Sequence, residues 1–240
     1  MNSDDLRTDN ILLNSLDAQD RALLAPNLTR CDLAKDMMLH PTGEPIVRCY
    51  FVEAGIASSV AVNGGSRTEV RLVGFDGVTG ANAILGDDLS PFDTFIQVDG
   101  GTVLWIGTQE LREAMAASAS LRTLLLGYAN TFMLQLAFGL VACAQHLMEA
   151  RLARWLLMCH DRVDGDTIPL THEFMALMIA AQRSGVTMTL HSLEGAGMIR
   201  STRGRVTIRD REKMLDLAGD SYGKPEERYR ALIAPFGKGG

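Results

Sequence analysis

The spacing of apolar residues changes period several times along the chain, and each change marks an element. In residues 14–28, NSLDAQDRALLAPNL, Leu16, Leu23 and Leu24 fall on one helical face. Ser15 or Asp17 is placed to cap that helix and Pro26 ends it. The polar, acidic residues 1–13 before it read as a frayed start. Over residues 31–108 the period shortens to that of strands, in the runs VRCYFVEAG, IASSVAV, TEVRLVGF, DTFIQVDG and TVLWIG. Turn signals separate them: Pro41-Thr42-Gly43, Asn63-Gly64-Gly65, Asp76-Gly77 and Gly100-Gly101. Short strands so punctuated predict an antiparallel barrel, sandwich or roll, and Asn63-Gly64 predicts a tight type I′ hairpin. Residues 109–118 then read as a helical connector.

Between Arg122 and Glu149 there is no Asp, Glu, Lys or Arg. That length of uncharged chain would span a bilayer. Asn130, Gln135, Gln145 and His146 argue against it, because unpartnered polar groups are costly in hydrocarbon. The pattern instead predicts a long helix buried on nearly all sides, one face on its own β-domain and the other on a second copy of itself. Leu121, Leu125, Tyr128, Phe132 and Leu136 are the candidate dimer interface. The helix is expected to run on without a turn signal into residues 149–163, with Leu152, Trp155, Leu156 and Cys159 inward and Arg151 and Arg154 outward.

Gly165 and Pro169 break the pattern, and residues 170–208 read as helix, sharp turn, helix, strand, basic turn, strand. Thr171 caps the first helix, packed through Met175, Leu177, Met178 and Ile179. Ala180 and Ala181 sit where two helices approach. The second helix begins near Gln182, ends at Glu194-Gly195 with Gly197 as its stop, and turns Val186, Leu190 and Leu193 inward. Its outer face carries Gln182, Arg183, Ser184, Thr187, Met188 and His191. Arg183 suits a bidentate contact to guanine, Met188 a thymine methyl and His191 a backbone phosphate. Strands at residues 198–200 and 206–208 flank a turn that clusters Arg200, Arg203 and Arg205, as a phosphate clamp requires. Each side chain alone would pass for a solvated face; the set behind a helix-turn-helix does not. After it come an amphipathic turn (Met214, Leu215, Leu217) and a polar tail ending in Lys-Gly-Gly with the composition of an unstructured segment.

Charge sharpens this picture. The net charge of -6 disfavours indiscriminate coating of nucleic acid, but residues 1–100 hold 15 acidic and 7 basic side chains whereas residues 171–213 hold 7 basic and 4 acidic. Positive charge is therefore local to the winged helix. Cys31, Cys49, Cys143 and Cys159 form no CxxC pair and, with no signal peptide recognisable, read as buried free thiols of a cytoplasmic protein. No Ser/His/Asp grouping, phosphate loop or metal-ligand spacing suggests an enzyme. The expected class is α+β. Residues 1–118 form an antiparallel β-roll of double-stranded β-helix or jelly-roll type, residues 119–148 a dimerisation helix, residues 149–220 a winged helix-turn-helix and residues 221–240 a tail.

With these elements in place, the sequence resembles the Crp/Fnr family of bacterial transcription regulators across nearly its whole length. The most specific stretch is Leu170 to Ile199, where Thr171, Arg183, Val186, Leu190, Leu193, Glu194 and Ile199 follow the family's pattern without a gap. Leu39-His40-Pro41-Thr42-Gly43-Glu44 and Tyr50-Phe51-Val52-Glu53-Ala54-Gly55 look like the opening strands of its roll. The resemblance implies that Arg183 reads a base while Gln182 and Thr171 meet phosphate. It also implies a cyclic-nucleotide-like pocket at Arg71, Gly77, Val78, Thr79, Phe92 and Asp93. There the chain departs from the family, since Val78 stands where the family has Glu, and Phe92 or Asp93 where it has Arg. Burying a cyclic phosphate without a cation costs several kcal/mol, so cAMP is disfavoured and no cofactor is evident. Haem would call on His40 or His146, each better explained as an ordinary histidine.

The leading expectation is a homodimeric, sequence-specific transcription regulator. It would read a pseudo-palindromic operator in double-stranded DNA, with RNA polymerase as a further partner, no membrane, and a degenerate effector domain for an unknown small effector or none. The alternative is a ligand-binding or interaction module whose winged helix contacts protein.

Overall fold

A computed structural model describes residues 6–97 and 100–238. Residues 6–14 are ordered where a frayed start over residues 1–13 was expected, and residues 1–5 lie outside the described residues. Helix α1 (Ile11–Asn14) is capped by Asn10, whose buried amide donates to the carbonyls of Val52 at 2.7 Å and Gly77 at 2.8 Å. Asp17 caps α2 (Ala18–Leu24), accepting from the backbone N–H of Asp20. Buried Leu12, Leu13 and Leu24 hold both helices to the β-domain, which offsets the polar composition around them.

Among the described residues seven strands follow: β1 (Thr29–Leu33), β2 (Met38–His40), β3 (Arg48–Ala54), β4 (Ala57–Asn63), β5 (Ser66–Val73), β6 (Asp93–Ile96) and β7 (Gly101–Gly107). They form two antiparallel sheets, ordered β1-β7-β3 and β2-β6-β4-β5. Val98 and Asp99, expected in a strand, lie outside the described residues. The β4–β5 hairpin pairs Asn63 with Ser66, so its two central residues are Gly64 (φ 56°) and Gly65 (φ 84°) rather than Asn63-Gly64. Two left-handed positions in a row are met at least cost by two glycines. A short helix α3 (Ala81–Ile84) interrupts the path to β6.

Helix α4 (Thr108–Ala117) leads into α5 (Ala119–Gln145), capped by Ser118. Contrary to the expectation of one continuous helix, the chain leaves helical geometry at His146 and Leu147 before α6 (Met148–His160). No Gly or Pro marks this break. Tertiary packing overrides local propensity: α6 turns away to bury Leu152, Trp155, Leu156 and Cys159, while Leu147 is left 79% exposed.

A two-residue strand β8 (Thr167–Ile168), α7 (His172–Met178), α8 (Arg183–Gly195), β9 (Ile199–Thr202) and β10 (Arg205–Ile208) complete the next layer, with strand order β8-β10-β9. Helix α9 (Arg211–Ala218) packs on α6. The expected unstructured tail is instead helix α10 (Lys224–Leu232), lying along α5. Its Tyr229 is buried and donates to the carbonyl of Asp76 at 2.6 Å, and Phe236 beyond it is buried too. Gly239 and Gly240 fall outside the described residues.

One apolar cluster joins Ile56, Val60, Leu72 and Phe95 of the β-domain to α6, α7 and α8, so the roll and the C-terminal layer share a core. Of the cysteines, Cys49 and Cys159 are buried as expected, Cys31 is half-buried and Cys143 is exposed.

Candidate nucleic-acid interface

The surface is built outward from α7. Thr171 accepts the N–H of Phe174 at 3.1 Å and so starts the helix. Met175 and Met178 point into the core, and the chain turns at Ala180 in a left-handed conformation (φ 49°). Ala180 is thus an exposed turn residue, while Ala181 packs against the core. Helix α8 then buries Val186, Leu190 and Leu193 and presents Arg183, Ser184, Met188 and His191 to solvent, with Gln182 at its N-cap. Met188 is 74% exposed, an apolar side chain with no core to join.

Thr187 differs from the rest of that face. It is half-buried, its hydroxyl placed between the Arg183 carbonyl at 3.0 Å and His172 Nδ1 at 3.1 Å. Its role is to hold helix to helix rather than to reach outward. His172 Nε2 lies 3.4 Å from the Ser201 hydroxyl, and Glu194 accepts the N–H of Ser201 at 3.0 Å. Burial, with His191 and Arg183 nearby, lowers the pKa of His172, so its neutral ring ties α7 to α8 and the wing. His172 was missed by sequence reasoning because a histidine at the first position of a helix carries no periodic signal.

In the wing Arg200 pairs with Thr207 and Thr202 with Arg205, which puts both arginines on the face opposite buried Val206 and Ile208. Arg203 and Gly204 form the turn, and an open cleft lined by Thr171, His172, Arg183, His191, Glu194 and Arg203 joins wing to recognition helix. Among the described residues Arg183, Arg200, Arg203 and Arg205 make no ion pair. Arg183 and Arg203 on the cleft, with Arg200 and Arg205 on the adjoining face of the wing, can take phosphate oxygens and a base edge.

The residues expected to form an effector pocket are differently placed. Arg71, Gly77 and Val78 meet around Tyr128 of α5, whose phenol oxygen accepts the N–H of Val78 at 2.9 Å, donates to its carbonyl at 3.0 Å and receives Arg71. A Cβ on Gly77 would overlap that phenol. Burial pushes the Tyr128 hydroxyl up to about 12 and lowers the pKa of Arg71, whose guanidinium lies 4.2 Å from the Phe132 ring centre. Thr79 sits on the other side, 2.9 Å from Nε2 of buried His40. Phe92 and Asp93 are not with them: Asp93 accepts from Thr42 at 2.9 Å and faces Arg67 at 3.8 Å.

The same packing places the residues expected at the dimer interface. Leu121, Leu125, Tyr128 and Phe132 are buried within their own chain, and Leu136 is half-buried on a cavity wall. The bare apolar seam of α5 lies elsewhere, at Leu126, Met133 and Leu140, 43%, 51% and 72% exposed. A helix whose one charged residue, Arg122, lies in its first turn has no polar face to set its rotation, which is why the sequence does not distinguish the two seams.

Residues 150–217 match the family described as a Crp-like helix-turn-helix domain. The fold is that of FixK2 from Bradyrhizobium japonicum (TM-score 0.70, 17% identity, 80% of this chain and 98% of that one). It is shared with TTHB099, a transcriptional regulator of the CRP family from Thermus thermophilus (0.67, 19%, 79% and 96%). TTHA1359, a CRP/FNR-family regulator from the same organism, has it as well (0.59, 21%, 81% and 100%). The chain carries a Crp-like helix-turn-helix domain on the Crp/Fnr fold. No curated protein matches it by sequence.

Within the Crp-like domain, α6 supplies the floor on which α7 and α8 rest, through Trp155, Leu156 and Cys159. Helix α5, whose one charged residue is Arg122, is long and apolar enough to cross a membrane by composition, yet one side of it packs on the β-domain and α10 as the central helix of this fold.

Proposed function

We propose that this protein is a sequence-specific DNA-binding transcription regulator that acts as a cytoplasmic homodimer and is not an enzyme. The observation that carries the reading is the cleft of unpaired cations formed by Arg183 of α8 and Arg203 of the wing on a Crp-like domain. Arg183 reads a guanine; Gln182, Ser184, Met188 and His191 add base and phosphate contacts; Thr171, Arg200, Arg203 and Arg205 clamp the backbone; Thr187 orients α8.

The dimer is assigned to the exposed seam of α5. Leu126, Met133 and Leu140 recur every seventh residue, and Asn130, Ala137 and Ala144 alternate with them, the spacing of a parallel coiled coil with one buried Asn to fix register. Two Arg183 side chains would then address half-sites about one helical turn, roughly 34 Å, apart. The β-roll is an effector domain whose nucleotide-like pocket is filled by Tyr128. Binding of a promoter fragment should weaken steeply with salt, and Arg183→Ala should flatten the preference for one base pair. A salt-independent interaction, or an unaltered preference in that variant, overturns the reading in favour of a protein-contacting winged helix.

A further inference from the structure

We propose that a second cavity, between β5, the C-terminal half of α5, α6 and the end of α7, binds a small organic anion with an apolar body. Its volume is about 250 Å³, room for about eight waters at liquid density or an aryl or short-chain carboxylic acid of similar bulk. Leu136, Leu140, Met158, Trp155, Met178 and Ile179 supply apolar walls.

The polar groups in it are unbalanced. Arg151 and Arg154 both line the cavity, and among the described residues neither guanidinium has a carboxylate within ion-pair distance. Arg151 donates one NH₂ to the Ile179 carbonyl but keeps a buried Nε without an acceptor. Arg154 spends its Nε on the Ser221 carbonyl at 2.9 Å, leaving the outer fork free. Among the described residues the one carboxyl on the wall, Glu69, is taken by Trp155 Nε1 at 2.6 Å and the Ser58 hydroxyl at 2.7 Å. Burial pushes it up to about 8, so near neutral pH it does not cancel the arginines. Two guanidinium groups beside an apolar wall suit one carboxylate head and a hydrocarbon body. Arg71 lies on the wall as well, with its guanidinium committed to the Tyr128 phenol, so this cavity adjoins the Tyr128 site without including the phenol.

Its occupant would touch the β-domain through Thr68 and Glu69 and the turn before the recognition helix through Met178 and Ile179. An effect on DNA affinity rests on the proposed function; binding itself does not.

The test uses the full-length chain without DNA, titrated calorimetrically with 3-phenylpropionate, benzoate and octanoate and with 3-phenylpropanol as the uncharged analogue. At least one acid should bind one per chain and raise the melting temperature, and the alcohol should bind at least roughly tenfold more weakly than 3-phenylpropionate. Gly139→Leu fills the cavity from α5, where a Cβ meets nothing nearer than Arg154 at 3.9 Å; the chain should still melt cooperatively and lose binding. Arg154→Gln should weaken the acid and leave the alcohol unchanged, whereas Arg183→Ala should leave both unchanged. Equal affinity for acid and alcohol, retained binding in folded Gly139→Leu, or no binding of any acid at about 10 mM overturns the proposal.

Discussion

The tie between the β-domain and the C-terminal layer can be tested at one ion pair. Asp76 follows β5, and Arg162 follows α6; they meet through two parallel bonds of 3.0 and 2.7 Å, with side chains only 7% and 3% exposed. Burial opposes the charge on Arg162, but Asp76 outweighs it and holds the guanidinium above its ordinary pKa. Asp76→Ala leaves that charge buried with the Met158 carbonyl at 2.8 Å and the Phe236 ring in contact, and with Glu226 and Asp161 acting on it only from beyond ion-pair distance. Removing one partner of such a pair costs about 3–5 kcal/mol, because the survivor stays desolvated. In a domain of this size that corresponds to a fall in melting temperature of roughly 6–20 °C. Urea or thermal denaturation reads the loss, and Asp76→Ala/Arg162→Met should recover most of it by removing the stranded charge as well. A cost below about 1 kcal/mol, or a double variant no better than the single one, would refute the reasoning.

Three further outcomes follow from other parts of the molecule. Arg183→Ala should lose about 1–3 kcal/mol of discrimination at one base pair in fluorescence-anisotropy titrations, and Arg203→Ala should weaken all sequences alike. Leu140→Asp, placed on the exposed seam, should shift the mass in light scattering from dimer to monomer, while Leu125→Asp should unfold the chain; the reverse pattern would restore the first-expected interface. Glu69 is pushed up from 4.5 to about 8, so its contribution to stability is full below pH 4.5 and is lost as pH rises through 8. His40, pulled down from 6.5 to about 4, contributes in the opposite sense, gaining as pH rises to 6.5. The two slopes oppose each other up to pH 6.5, after which stability should fall by about 2 kcal/mol by pH 8. Glu69→Gln should abolish that fall, and an unchanged pH profile would sink the assignment.

The parts legible in the sequence are those whose signals are local. Thr171 as a cap, Val186, Leu190 and Leu193 at helical spacing, and three arginines around Gly204 need no distant partner to be read. What escaped depends on which face meets which. On α5 the apolar residues run all round, so the inward seam at Leu121 and Leu125 and the outward one at Leu126 and Met133 look alike until α10 and the roll cover the first. Helix α10 was passed over because Tyr229 is its one large apolar anchor. Its start was nevertheless written in Pro225, Glu226 and Glu227, a proline and two acids in the first turn.

On the reading proposed above, in which Tyr128 fills a nucleotide-like pocket, that filling bears directly on how this molecule is controlled. Had Val78 merely replaced a ligand-binding residue, the cavity would stand open and a different effector could enter it. Instead Tyr128 occupies it with three hydrogen bonds, to Arg71 and to both backbone groups of Val78, and Gly77 is the one residue type that leaves the phenol room. Displacing the tyrosine forfeits about 1 kcal/mol for each bond and strands the buried Arg71 besides. A ligand entering there has to repay that before it gains any affinity of its own. The cavity at Arg151 and Arg154 demands no such displacement, and it already touches the turn that aims α8. A signal that enters through this chain therefore meets less resistance beside the Crp-like domain than inside the roll.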